Sequence, residues 1–334
     1  MQQITTVEMH TGGEPVRIIT GGFPPVHGDT LLAKRRHVRS ELDHLRRMLM
    51  AEPRGHADMY GALLVEPDAP DADFAVLFLH NEGYSTMCGH AVIALGRFAV
   101  DRKLVAAREP ETTVRIQCPC GLVTASVEVH EGRAGRVRFT SVPAFAYARD
   151  AVVVTDAFGP VILDVAYGGA FYGILPASQL GLDLQHSPLA RIVEAALQIK
   201  AAAMKQLALA HPTEPDLAYL YGIILTDDMS SEGRGPTANI CVFADGQVDR
   251  SPTGSGVTAR LALMHRRRQV DVGESRAFSS ITGAEFTGRV IAETTAGRHP
   301  AVLVEVAGKA FYTGEASFTC EPEDPLGAGF LLRR

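Results

Sequence analysis

Apolar positions in the first 130 residues cluster in short runs that turns interrupt. Val16 to Thr20 ends at Gly21-Gly22, Gly61 to Val65 at Glu66-Pro67-Asp68, and Phe74 to His80 at Asn81-Glu82-Gly83, so each run predicts a strand. From Ser40 to Met50 the spacing becomes helical. Leu42, Leu45, Met48 and Leu49 share one face and Glu41, Asp43, Arg46 and Arg47 the other, which predicts an amphipathic surface helix with solvated arginines. Gly89 to Val100 holds Val92, Leu95, Phe98 and Ala99 at helical spacing among small residues, with almost no charge before Asp101. Such a helix is buried nearly all round. Strand patterns return at Thr113 to Gln117, Leu122 to His130 and Val137 to Phe139, and a helix pair is expected around Pro188 to Leu209. The result is mixed α and β, without the regular alternation of a Rossmann or barrel fold.

The second half repeats a feature of the first. Asp249 to Met264 is again a glycine-marked turn opening a small-residue helix. With Thr253 set on Cys88, Gly254 falls on Gly89, Val257 on Val92 and Ala259 on Ala94, a shift close to half of the 334 residues. This predicts an internal duplication, with one buried helix in each half.

Composition narrows the function classes. Hydrophobic residues make up 46% and charged residues 21%, values of a folded globular chain rather than a disordered or fibrous one. The 32 basic and 38 acidic side chains leave a net charge of -6, which gives no field for a polyanion, so nucleic acid is not an expected partner. No apolar run reaches the ~18–20 residues that cross a bilayer, and the first residues lack the pattern of a signal peptide. The expected location is cytoplasmic. Five cysteines, Cys88, Cys118, Cys120, Cys241 and Cys320, argue for reduced thiols over a disulfide framework.

The two helix starts carry the candidate chemistry. A thiol in the first turn of a helix meets unsatisfied N–H groups and the positive end of the dipole, so Cys88 is expected to be a thiolate-prone base. The N–H groups of Gly89 and His90, with those of Gly254 and Ser255, form a candidate carboxylate clamp, and Asp249 suits a substrate amine. Singly, each has a plainer reading: an inert buried thiol, a capped helix start, a turn aspartate. Their pairing favours chemistry.

Met87-Cys88-Gly89-His90 and Asp249-Arg250-Ser251-Pro252-Thr253-Gly254-Ser255-Gly256 resemble the two active-site motifs of the proline racemase family. Matching segments run from end to end: Met9-His10-Thr11-Gly12-Gly13-Glu14-Pro15, Gly168-Gly169-Ala170-Phe171-Tyr172, Ser280-Ile281-Thr282-Gly283-Ala284-Glu285-Phe286, and Asp324-Pro325-Leu326 before Gly329-Phe330. The resemblance implies an α/β (α+β) fold like that of diaminopimelate epimerase. Its two pseudo-symmetric domains would each have a central buried helix pointing at a shared active-site cleft. The expected domains are 1–145 with about 315–334, bearing Cys88, and 146–314, bearing Thr253. It also implies chemistry at the α-carbon of a small imino acid without metal or organic cofactor, and it is compatible with a homodimer.

One departure is informative. Racemases and epimerases of this family carry cysteine at both helix starts, one thiol to remove the α-proton and one to return it on the other face. This chain has Thr253 in the second place, and a threonine hydroxyl is a poor acid or base at neutral pH. A Cys/Thr pair resembles the trans-3-hydroxy-L-proline dehydratases of the family. In that substrate the hydroxyl and the α-hydrogen lie on one ring face, so a single group, Cys88, could take the proton and hand it to the leaving hydroxyl, with Δ1-pyrroline-2-carboxylate and water as products. Thr253 is then expected to position substrate or water. The alternatives are a proline racemase or hydroxyproline 2-epimerase, and a non-catalytic imino-acid-binding protein.

Cys118-Pro119-Cys120 lacks the further ligands of a zinc site and reads as strand packing, as do Cys241 and Cys320. His10 either contacts the substrate hydroxyl or caps a turn, and Gly168-Gly169 either covers the pocket or is a plain turn. His265-Arg266-Arg267-Arg268 ends the second buried helix, where solvated cations complement the dipole.

Overall fold

The computed structural model describes residues 2–227 and 235–332. The chain divides into two units, Met1–Val137 with Lys309–Arg334, and Arg138–Gly308.

The first unit contains β1 (Gln2–Thr11), β2 (Glu14–Gly21), α1 (Leu31–Glu41), α2 (Asp43–Met50), β3 (Tyr60–Val65), β4 (Phe74–His80), β5 (Gly83–Ser85), α3 (Gly89–Asp101), β6 (Glu111–Cys118) and β7 (Gly121–His130). β8 (Arg133–Thr140) leads out of it. β1 and β2 are antiparallel, β2 and β3 parallel, β3 and β4 antiparallel, β4 and β6 parallel, and β6 and β7 antiparallel; β5 folds back on β4. β4 is buried throughout, as its unbroken apolar run requires, whereas β6 buries every second residue.

The second unit contains β9 (Phe145–Thr155), β10 (Gly159–Tyr167), β11 (Phe171–Pro176), α4 (Leu189–Gln206), β12 (Leu220–Thr226), β13 (Thr237–Phe243), β14 (Gln247–Asp249), α5 (Gly254–Arg266), β15 (Ser275–Ser279), β16 (Glu285–Ala296) and β17 (His299–Gly308). From β10 to β16 the pairing runs antiparallel, parallel, antiparallel, parallel, antiparallel, with β14 folded back on β13. This is the sequence of pairings from β1 to β7, so the internal duplication is present in the fold. The C-terminal strand β18 (Ala310–Cys320) returns to pair with β1.

α3 and α5 are the matching central helices, each 13 residues long. Both are lined with small residues because sheet strands press on them from several sides. A Cβ on Gly96 of α3 would stand 3.1 Å from Val137 and 3.4 Å from Ala125. Val92, Ile93 and Leu95 are fully buried, each contributing about 2 kcal/mol.

Several expectations are corrected. The helix expected over Ser40–Met50 is the end of α1 plus α2, broken at Leu42. α1 begins at Leu31, capped by the Thr30 hydroxyl, and leaves almost no apolar period in the sequence because it buries only Leu31 and Val38. Arg46 is buried, not solvated: it pairs with Asp43 at 2.6 Å and donates to the carbonyls of His80 and Asn81, which supply the partners a buried cation needs. Arg47 is exposed. The helix pair near 188–209 is the single helix α4, packed through Ile192, Ala195, Ala196, Ile199 and Ala203. Cys241 is buried in β13, but Cys320 is only partly buried at the end of β18. In the basic run, Arg267 is tied to Asp150 and Asp164, both at 2.7 Å, rather than simply solvated. Among the described residues no helix is long and apolar enough to cross a membrane.

Candidate active site

Cys88 stands at the start of α3, three residues after β5, with extended backbone at φ −145° and ψ 107°. The Ser85 hydroxyl donates to the Met87 carbonyl at 2.9 Å, and the Thr11 hydroxyl donates to the His90 carbonyl at 2.9 Å, fixing both sides of the helix start. The Cys88 side chain does not cap the helix. Instead its Sγ lies 3.1 Å from Nδ1 and 3.7 Å from Nε2 of His90. Thiol and imidazole are 5% and 3% exposed, so the pair is nearly dry. The Tyr60 ring meets the His90 ring edge-on at 4.9 Å and stacks on His80 at 6.0 Å.

The Cys118-Pro119-Cys120 turn joins β6 to β7 beside this start, where the Cys120 amide donates to the Thr86 carbonyl at 3.0 Å. Burial pushes the Cys120 thiol up to about 12. Burial also pushes Cys118 well above its ordinary value, with the neighbouring charges of Cys120 and Cys88 adding to the shift. Both thiols stay protonated at neutral pH and serve as packing. Among the described residues no three His, Cys, Asp or Glu side chains gather as metal ligands.

Thr253 stands at the start of α5, four residues after β14. The link is one residue longer than the one before Cys88, and Thr253 takes a left-handed backbone, φ 62° and ψ 87°. That conformation strains a β-branched residue and recurs where function demands it. Its amide donates to the Ser251 hydroxyl at 3.1 Å, and the Asn239 amide donates to the Pro252 carbonyl at 3.2 Å. Asn239 is held in turn by the buried guanidinium of Arg260 at 2.8 Å. The Thr253 side chain also leaves its helix uncapped, and its buried Oγ1 has no hydrogen-bond partner.

Asp249 accepts the Ser251 amide at 2.8 Å. Burial raises its carboxyl above the ordinary value, against the lowering pull of the Ser251 and Thr253 hydroxyls; the latter lies near without reaching hydrogen-bond geometry. The Ser255 hydroxyl is committed to Tyr172 at 2.7 Å, so this residue offers its backbone amide. Gly168 lets β10 run onto the first turn of α5: a Cβ there would collide with the Ser255 carbonyl and stand 2.6 Å from the Ala259 amide.

The structure therefore gathers Cys88, Gly89 and His90 at one helix start and Asp249, Thr253, Gly254 and Ser255 at the other, each set within its own unit. Gly168 is a packing glycine, and His10 caps a turn, accepting the Gly13 amide at 3.3 Å and stacking on Phe311 at 5.4 Å. Sequence reasoning missed the His90 imidazole, Tyr60, Tyr172 and the Arg260–Asn239 pair. Only His90, two residues from Cys88 on the same first turn, left a local signal.

The proline racemase family model matches residues 6–331. The chain belongs to the proline racemase family. Within that family it is 56% identical to trans-3-hydroxy-L-proline dehydratase of Homo sapiens, over 99% of this chain and 95% of that one. It is 46% identical to 3-hydroxyproline 2-epimerase of Burkholderia multivorans, over 99% of each. A solved hydroxyproline epimerase from Agrobacterium vitis, with bound trans-4-OH-L-proline, matches with a TM-score of 0.93 at 30% identity, over 99% of this chain and 95% of that one. The two units with their central helices are the fold of this proline racemase family.

Proposed function

We propose that this protein is a hydro-lyase that converts trans-3-hydroxy-L-proline to Δ1-pyrroline-2-carboxylate and water. The observation that carries the reading is the side chain at each helix start: a thiol beside an imidazole at one, an unpartnered alcohol at the other. Cys88 removes the α-proton. The amides of Gly89, His90, Gly254 and Ser255, left without intrahelical acceptors, stabilise the charge that builds on the carboxylate as the Cα–H bond breaks. Asp249 holds the ring ammonium, which keeps the α-carbon acidic. Thr253 positions substrate or water through its free hydroxyl.

The similarity to dehydratases at 56% identity supports this reading. The 46% identity to an epimerase keeps stereochemical inversion as the rival. Inversion needs a proton donor on the second face, and an alcohol holds its proton too tightly to serve. Proline and its 3- and 4-hydroxy isomers, each incubated in D2O and assayed for both imine formation and inversion, separate the two. The dehydratase yields imine from the trans-3-hydroxy isomer. Deuterium exchange at the α-carbon of proline with loss of optical rotation, and no imine, identifies a racemase. A homodimer in the cytoplasm is the assembly and location that go with this reading, and gel filtration tests the first.

A further inference from the structure

Hydroxide leaves carbon poorly unless it is protonated as the C–O bond breaks, so the reaction needs an acid as well as a base. If Cys88 alone served both roles, the proton taken from the α-carbon would have to be re-delivered from sulfur to oxygen before the carbanion collapsed. The structure holds a second proton carrier on the same helix turn. The His90 Nδ1 lies 3.1 Å from the Cys88 sulfur. The α-hydrogen and the 3-hydroxyl sit on adjacent ring carbons and on one face, so a base and an acid within hydrogen-bond reach of each other match the two atoms that must be addressed. The edge of Tyr60 and the Thr11 hydroxyl on the His90 carbonyl hold the imidazole in place, and at 3% exposure bulk water does not replace it.

We propose that His90 is the general acid of the dehydration, protonating the departing 3-hydroxyl while the Cys88 thiolate removes the α-proton. The Cα–H pair becomes the Cα–C3 double bond, the C3–O pair leaves on oxygen, and that oxygen takes the His90 proton and departs as water. Cys88 is left as thiol and His90 neutral. Transfer of the proton from sulfur to Nδ1 across the 3.1 Å contact resets both groups. The enamine takes a proton at C3 from solvent, and its nitrogen, which entered the reaction as an ammonium, releases two protons to solvent, giving the neutral imine. This rests on the dehydratase reading and adds a catalytic role to a residue assigned above only as a backbone donor.

The test compares trans-3-hydroxy-L-proline with trans-3-fluoro-L-proline, whose fluoride leaves without needing a strong acid. His90→Asn and His90→Gln should lower imine formation from the hydroxy substrate by about 100-fold or more. Fluoride release by the same variants should fall by a factor at least about 10-fold smaller, because the leaving group then needs no acid and only the reset of the Cys88 thiol lacks its imidazole; the turnover that remains also shows that they fold and that Cys88 still works. Equal losses with both substrates in variants whose circular dichroism is unchanged, or no loss with either, overturn the proposal. A measurement on the unmodified protein is independent of the variants. The His90 proton exchanges with solvent, so D2O should slow the hydroxy substrate and leave fluoride release unaffected; equal solvent effects overturn the proposal. No imine from trans-3-hydroxy-L-proline with the unmodified protein is instead the failure of the dehydratase reading.

Discussion

The starts of α3 and α5 occupy equivalent places in a duplicated fold, follow equivalent hairpins and leave their first-turn amides uncapped, yet they differ in chemistry. At α3 a relaxed, extended Cys88 touches an imidazole, a pair able to pass a proton. At α5 a strained, left-handed Thr253 points an unpartnered hydroxyl beside a buried carboxylate, a pair suited to holding a ligand. The duplicated fold thus keeps the same helix start in each unit, while one residue type and one added link residue give the two starts different chemistry.

The sharpest break in this comparison is Cys88→Ser, which should cut imine formation by about 1,000-fold or more, as expected for loss of the base, in a steady-state assay. The converse substitution, Thr253→Cys, makes the two starts chemically alike. It should create α-carbon inversion from a negligible background, read by chiral chromatography of recovered substrate, while weakening dehydration.

Asp249→Asn should lower kcat/KM by about 10- to 100-fold, mainly through KM, from loss of a charge-assisted contact to the ring ammonium. Its pH dependence carries a sign. Burial raises the Asp249 carboxyl, so the folded state holds this proton more tightly than the unfolded state. Stability from this group is therefore greatest at low pH and declines as pH rises from the ordinary Asp range through the raised value. Asp249→Asn should remove that decline in thermal melts across acid pH; the unmodified protein should show an acid limb of kcat/KM above the ordinary Asp range, and the variant should lack it.

Smaller effects concern the scaffold of α5. Gly168→Ala should destabilise the protein by about 1–3 kcal/mol, because backbone on both sides of the added methyl cannot yield, and denaturant melts will read it. Thr253→Gly should stabilise by about 1 kcal/mol through relief of the left-handed strain, and retain part of the turnover.

Much was legible from local pattern. The buried helices after Cys88 and Thr253 announced themselves through small residues and absent charge, and half-length repetition exposed the duplication, because both are properties of neighbouring positions in the chain. α1 was not legible, since a helix burying only Leu31 and Val38 has almost no apolar period. Nor was the burial of Arg46, because its acceptors at His80 and Asn81 arrive from β4 and the turn after it.

By itself the sequence determined which reactive groups the two helix starts present, a thiol and an alcohol, since side-chain chemistry does not depend on folding. Only the tertiary structure decided what surrounds them. Tyr60 comes from β3 to brace His90 against the Cys88 sulfur, and Arg260 reaches through Asn239 to the carbonyl before a left-handed Thr253. These contacts join residues distant along the chain, and they form where packing of strands on a buried helix fixes ring and backbone positions that no local pattern encodes.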